Sequence, residues 1–159
     1  EIIELGKKLT GMMPPLQSWM QLIERAKAEF GNFVFLSSFE ISFRGLPFNS
    51  TIAEHALHLL SILNEFKGCF DENGERTSRG HDIYQNYFTG DKAKFTDESD
   101  TNKVKFKKEL TFSDADGKSL FCPYHGKISH QYYRLHFSWP ITRDGLLYIA
   151  YLGPKITKA

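Results

Sequence analysis

The sequence is poor in cysteine and contains no long apolar run, and both features narrow the classes of protein it fits. Only two cysteines, Cys69 and Cys122, occur among the 159 residues, and neither belongs to a CxxC pair. A disulfide framework or a cysteine-based zinc site is therefore poorly supported, and two buried thiols in a reducing cytoplasm are the simpler expectation. No apolar stretch reaches the roughly 18 residues of a membrane span, so we expect no membrane partner.

Several common catalytic motifs are also missing. The sequence has no GxGxxG, Walker, GxSxG or HExxH segment, which leaves the corresponding dinucleotide, nucleotide, serine-hydrolase and zinc-protease chemistries without support. Two weak metal patterns do occur: His55 and His58 lie three residues apart, and residues 71–75 have part of a calcium-loop spacing. Because both patterns lack further ligands, we interpret them as a solvated helix face and a turn.

Aromatic residues, by contrast, are abundant. The sequence contains 14 Phe, and 41% of its residues are hydrophobic, which is typical of a folded protein with a β-rich core. A chain of this length fits a single core, so we treat residues 1–159 as one domain. Its first residue is Glu1 rather than Met, and we therefore expect further domains of the same protein to exist.

Residues 16–102 form the helix-rich part of the prediction. Apolar residues at spacings of three and four predict helices over residues 16–30 and 50–67, and a short helix is expected over residues 82–88. Pro14 and Pro15 prevent helix continuation, so residues 1–15 are expected to be a linker or a helical prefix. Alternating aromatic residues predict a strand over 32–44, broken near Ser37, and residues 89–102 are predicted to be a polar loop.

From residue 103 onward, apolar residues alternate with polar ones. This pattern predicts strands over residues 103–113, 118–128, 132–140 and 146–153, with residues 114–117 as a hairpin turn. We therefore predict an α+β fold in which an antiparallel sheet of about four strands, spanning 103–156, packs against the N-terminal helices.

The charge distribution points to a polyanionic partner. Residues 1–102 carry 10 basic and 15 acidic side chains, whereas residues 103–159 carry 10 basic and only 4 acidic ones. A cationic module attracts polyanions, so nucleic acid is a candidate partner, although surface lysines also serve solubility alone. The candidate nucleic-acid-binding residues are lysines and two tyrosines that could stack on bases: Lys103, Lys105, Lys107, Lys108, Tyr124, Tyr148 and Lys155.

Two of the predicted strands carry the candidate catalytic residues. Strand alternation sends Arg134 and His136 to the face opposite the core, and the same parity groups His125 with Lys127 on the preceding strand. If these strands pair through a short turn, the four residues become cross-strand neighbours. A cation could then stabilise the transition state of phosphodiester cleavage while an imidazole acts as acid or base, with no metal or cofactor required.

Three alternatives remain open for these residues. They could be polar side chains on the solvent-exposed face of an antiparallel sheet. A zinc site built from His125, His130 and His136 is the second alternative. The third is a purely structural domain, in which the acidic N-terminal and basic C-terminal parts mediate self-association.

Two C-terminal segments resemble the end of bacterial RelE/ParE-type toxins. They are Tyr-Arg-Leu-His-Phe-Ser-Trp, residues 133–139, and Leu-Tyr-Ile-Ala-Tyr-Leu-Gly-Pro-Lys-Ile, residues 147–156. In those toxins an arginine-bearing strand is followed by a hairpin and a strand that ends near a glycine. The resemblance spans residues 103–156, about a third of the chain.

The resemblance implies a metal-independent ribonuclease or an RNA-binding domain of a bacterial toxin or phage-defence protein, with a cognate antitoxin as partner. It implies that the phosphate-binding and proton-transfer groups are the four candidate catalytic residues, His125, Lys127, Arg134 and His136. The long helical N-terminal part departs from those toxins. The alternative is therefore a non-catalytic domain of a larger bacterial protein that binds nucleic acid or another protein.

Overall fold

The computed structural model describes residues 14–128 and 132–158. The helices are α1 (Trp19–Glu29), α2 (Ser37–Ser42), α3 (Ser50–Lys67), α4 (Ser78–Phe88) and α5 (Asp100–Lys105). The strands are β1 (Phe33–Phe35), β2 (Phe95–Thr96), β3 (Thr111–Ser113), β4 (Ser119–Phe121), β5 (His125–Ile128), β6 (Tyr133–Phe137) and β7 (Leu147–Pro154). None of the described helices combines the length and apolar character that crossing a membrane requires. The predicted linker or prefix, residues 1–15, lies almost entirely outside the described residues.

The two long predicted helices are confirmed, and side-chain caps explain where they begin. The Ser18 hydroxyl accepts a hydrogen bond from the backbone N–H of Gln21 at 3.1 Å, at the start of α1. Asn49 caps α3 in the same way, through the N–H of Ile52 at 3.0 Å. Each cap satisfies a backbone donor that has no partner within its own helix.

The predicted strand over residues 32–44 is correct only for β1, because α2 follows it. Phe39 and Phe43 alternate with polar neighbours, yet residues four apart also share one face of a helix, and both rings are buried. Ile41, which alternation would bury with them, is 55% exposed. The hydroxyl of Ser42 donates to the carbonyl oxygen of Leu152 at 2.8 Å, which ties α2 to strand β7.

The predicted strand over residues 103–113 is also wrong for most of its length. Ser99 caps α5 through the N–H of Asn102 at 3.1 Å, so the chain is helical where alternation predicted a strand. Val104, an apolar residue of that predicted strand, is 81% exposed. The predicted polar loop over 89–102 contains β2 and the start of α5, and the predicted helix over 82–88 begins earlier, as α4.

The main sheet is C-terminal, as predicted, but it is mixed and has five strands. Its order is β1-β7-β6-β5-β2, with β1 parallel to β7 and the other neighbours antiparallel. The predicted strand over 118–128 is divided between β4 and β5, which belong to different sheets. Strands β3 and β4 form a separate hairpin, whose predicted turn at 114–117 is confirmed, with Gly117 at φ 83°.

Helices α1 and α3 pack on one face of the main sheet, as predicted. A single apolar cluster joins Leu22 of α1, Leu59 of α3 and Leu135 of β6, so helices and sheet share one core. A smaller cluster on the opposite face contains Leu36, Cys122 and Ala150, with Phe112 and Leu120 of the β3–β4 hairpin packed against it. Both cysteines are free and buried, and burial raises the pKa of the Cys122 thiol to about 12.

The contact between α3 and the sheet depends on the absence of a side chain at Gly126. A Cβ at this position would lie 2.9 Å from Leu59 Cδ1 and 3.0 Å from Phe95 Cε1. We expect Gly126→Ala to lower the free energy of unfolding by about 1–3 kcal/mol, because the core must move to accept the methyl group. Urea denaturation measures the change.

Gly31→Ala is the matched control for that substitution, since a Cβ at Gly31 meets no atom within 4 Å. Its expected effect is below about 0.5 kcal/mol. Equal stability of the two variants would contradict the close packing of α3 on β5.

Candidate functional site

The four predicted catalytic residues come together on one face of the sheet. His125 of β5 lies opposite His136 of β6, and Lys127 lies opposite Arg134. The two imidazole rings have their centroids 5.2 Å apart. The predicted cross-strand pairing is therefore confirmed, although the catalytic roles of these residues stay a prediction.

The histidines are not on a solvent-exposed face, which corrects the first alternative. His125 is 5% exposed and His136 is 1% exposed. The ring of Phe112, from the β3–β4 hairpin, lies 6.5 Å from the His136 ring, and the Tyr151 ring lies 5.7 Å from it. The β3–β4 hairpin, which lies within the segment of residues 97–121, therefore covers the two histidines. Lys127, on the same strand as His125, remains exposed.

Glu98 is a third member of the buried polar group. Its Oε2 lies 3.1 Å from Nδ1 of His125. Its Oε1 accepts hydrogen bonds from the Thr157 hydroxyl and the Asn102 side-chain amide, each at 3.2 Å. The carboxylate is therefore held by a neighbour on α5 and by a residue near the C-terminal end of the described chain.

Sequence reasoning missed Glu98 because it lay in the predicted polar loop. The only signal was local: Glu98 stands two residues beyond Phe95–Thr96, which proves to be the edge strand β2 beside β5. A two-residue strand is too short for alternation to reveal. His130, the third histidine of the predicted zinc alternative, lies outside the described residues.

The hydrogen bonds of the two histidines fix which ring nitrogen carries the proton. Nδ1 of His136 lies 2.9 Å from the carbonyl oxygen of Cys122, and a carbonyl only accepts, so this nitrogen is the donor. Nδ1 of His125 lies 3.1 Å from the carbonyl oxygen of Pro123, while its Nε2 lies 3.4 Å from the Thr96 hydroxyl. Both neutral rings are therefore protonated on Nδ1.

Burial keeps both imidazoles uncharged. The pKa of His136 is lowered to about 3, mainly by burial and in part by the neighbouring His125 and Arg134, although the Cys122 carbonyl raises it. Burial also lowers the pKa of His125, although the Pro123 carbonyl and the Glu98 carboxylate oppose this. A group with so low a pKa does not exchange protons efficiently near neutral pH, so the expected acid–base role of His136 is disfavoured.

Arg134 is half-buried beside this cluster. Burial lowers its pKa, while the negative charge of Glu98 raises it. One terminal nitrogen donates to the Tyr133 carbonyl oxygen at 2.9 Å, whereas the buried Nε has no hydrogen-bond partner among the described residues. The guanidinium therefore keeps donor capacity for a further acceptor.

The predicted nucleic-acid-binding residues differ in whether their side chains are already engaged by other groups. Lys103 forms an ion pair with Asp97 and lies 4.0 Å from Asp100, so its charge is largely neutralised. Tyr124 stacks on the Trp139 ring at 4.2 Å, which occupies one of its faces.

The other members of that set differ in exposure. Tyr148 and Lys155 are half-buried, whereas three lysines of the 97–121 segment are exposed: Lys105, Lys107 and Lys108. Of the predicted binding and catalytic residues, only these three and Lys127 are exposed.

Comparison with protein-family models, curated proteins and solved structures finds no significant match. The resemblance to RelE/ParE-type toxins therefore stays an expectation, and the geometry of the site must carry the functional argument.

The low pKa of His136 predicts how stability depends on pH. The unfolded imidazole binds a proton below about pH 6.5 and the folded one only near pH 3, so stability is lost as the pH falls between these values. In His136→Asn, which retains an amide donor for the Cys122 carbonyl, we expect a smaller loss of unfolding free energy from pH 7 to pH 5. Urea denaturation in chelator-containing buffer at pH 7, 6 and 5 measures this slope.

His58→Asn is the control, because His58 is an exposed histidine of α3. It should show the same slope as the parent protein. Identical slopes for His136→Asn and His58→Asn would show that His136 titrates normally in the folded protein.

Proposed function

We propose that the chain is an RNA-binding domain that contacts the phosphate backbone through Lys127 and Arg134. The observation that carries this proposal is their register: the two cations lie directly opposite each other on neighbouring antiparallel strands. Like charges in this arrangement destabilise a sheet. No carboxylate among the described residues lies within salt-bridge distance of either. A polyanion would remove the repulsion.

The exposed lysines of the 97–121 segment support the same assignment. Lys105, Lys107 and Lys108 extend the positive charge beyond the strand pair. Neutralising several phosphates releases condensed counterions, and this makes binding strong at low salt and weak at high salt. Phosphate contacts of this kind position a nucleic acid without reading its sequence.

Cleavage of the bound RNA is the less supported part of the toxin-like hypothesis. A general acid or base must come within hydrogen-bond reach of the reacting group, and both imidazoles are buried under the hairpin. The ribonuclease mechanism would therefore require this cover to open. Binding without catalysis requires no such change, so the non-catalytic alternative is the one that we favour.

The biological setting follows from this proposal. A domain of a bacterial toxin or defence protein that binds RNA would act in the cytoplasm, where free thiols such as Cys69 and Cys122 stay reduced. A cognate antitoxin would be expected to cover the same cationic surface.

Fluorescence anisotropy with a labelled single-stranded RNA tests the proposal. We expect the apparent Kd to increase steeply between 50 and 200 mM salt, and Lys127→Ala to weaken binding and reduce the log–log salt slope by about 1. Arg25→Ala is the matched control, since Arg25 lies on α1, on the other side of the sheet. Equal weakening by both substitutions, or binding that is insensitive to salt, would contradict the assignment.

The same mixtures resolved on a denaturing gel decide between binding and cleavage. With EDTA present, we expect the RNA to be recovered intact after incubation with the parent protein. Fragments that appear with the parent protein and disappear with His136→Asn would instead establish the ribonuclease function.

A further inference from the structure

Three buried side chains form a set of metal ligands that the proposed function does not use. Glu98, His125 and His136 offer one carboxylate oxygen and two imidazole nitrogens, all within 4.8 Å of one another. They come from the segment after β2, from β5 and from β6, so the fold itself brings them together. One carboxylate with two imidazoles is an established ligand set for Zn²⁺, in which water or another donor fills the fourth position.

We propose that Glu98, His125 and His136 bind one divalent transition-metal ion of the zinc class. The hydrogen bonds around His136 support this assignment. Its Nδ1 is engaged by the Cys122 carbonyl at 2.9 Å, which leaves the lone pair of Nε2 for the metal. A histidine that binds a metal through one ring nitrogen commonly donates a hydrogen bond from the other to a backbone carbonyl. This hydrogen bond fixes the tautomer and the orientation of the ring.

Glu98 is oriented in the same manner. Both hydrogen bonds from Asn102 and Thr157 end on Oε1, so Oε2 is the oxygen that faces His125. Buried carboxylates that bind metals are themselves held by hydrogen bonds, and this geometry lowers the reorganisation that binding requires.

His125 contributes Nδ1 to the site. This nitrogen lies 3.1 Å from Glu98 Oε2, close to the separation of roughly 3.3 Å between two ligands that each lie about 2.0 Å from a tetrahedral metal. Binding requires the proton to move from Nδ1, where the Pro123 carbonyl accepts its hydrogen bond, to Nε2, where the Thr96 hydroxyl oxygen 3.4 Å away can accept one instead. The ring stays neutral in both states, so the tautomer change releases no net proton.

The charges around the site act on a bound metal ion in opposite directions. The Glu98 carboxylate is buried, and a buried carboxylate is stabilised by a cation that it can bind. Arg134 and Lys127 lie on the same sheet face, and their positive charges repel a bound metal ion. We therefore expect the fourth ligand to be anionic, and Arg134→Gln to tighten metal binding rather than weaken it.

Titration with Co²⁺ tests the site, because tetrahedral Co²⁺ absorbs visible light and Zn²⁺ displaces it. After chelator treatment and dialysis, we expect one equivalent of Co²⁺ to bind per chain, to be displaced by Zn²⁺, and Zn²⁺ to raise the Tm. Glu98→Gln keeps an oxygen acceptor for Asn102 and Thr157, and should weaken Co²⁺ binding by at least about tenfold. His136→Asn should abolish it.

The double variant His55→Asn/His58→Asn is the control for binding by surface histidines. These side chains lie on α3 outside the buried cluster, so one equivalent should still bind. Binding of less than one equivalent by the parent protein, or loss of binding in the double variant alone, would overturn the proposal. If His136→Asn fails to fold by circular dichroism, unchanged affinity in folded Glu98→Gln would overturn it equally.

Discussion

The pairing of β5 with β6 is the constraint on which the rest of the structure depends. This register places Gly126 opposite Leu135 on the helix-facing side, and His125 opposite His136 on the other side. Side chains alternate along a strand, so a slip of β6 by one residue would send His136 into the apolar core and bring Leu135 out of it. The fit of α3 against Gly126 therefore fixes the position of the polar cluster on the opposite face.

The segment that covers the opposite face buries some of its polar residues and leaves others exposed to solvent. Segment 97–121 supplies Glu98 and the hairpin that buries the imidazoles, while Lys127 and the exposed lysines remain in solvent. Burial makes the histidines poor acids and bases but good neutral ligands, whereas exposure leaves the lysines charged and available to phosphate. One sheet face thus carries a buried polar cluster and, beside it, exposed cations.

Sequence periodicity correctly predicted the long helices and the longer strands. The stripes of α1 and α3 and the alternation of β6 and β7 identified the helices, the C-terminal sheet and the pairing of the candidate residues. Alternation misled at Phe39 and Phe43, whose spacing of four suits a helix equally well, and at Val104, where the Ser99 cap favours α5.

The burial of the histidines and the presence of Glu98 could not be predicted in the same way. Both depend on contacts between segments distant in sequence, such as Thr157 with Glu98 and Phe112 with His136. The predicted catalytic roles rested on the assumption that the polar residues on this sheet face are exposed to solvent. A short hairpin of two three-residue strands is enough to change this, and nothing in its own sequence shows where it docks.

The protonation state of His136 tests the central claim most directly. In metal-free protein labelled with ¹⁵N, long-range ¹H–¹⁵N correlation spectra report which imidazole nitrogen carries the proton at each pH. The structure predicts that His136 stays neutral and protonated on Nδ1 from pH 7.5 down to pH 5, because burial depresses its pKa to about 3. A titration with a midpoint near 6.5, the ordinary value for histidine, would show that the ring is exposed to solvent and would contradict the account.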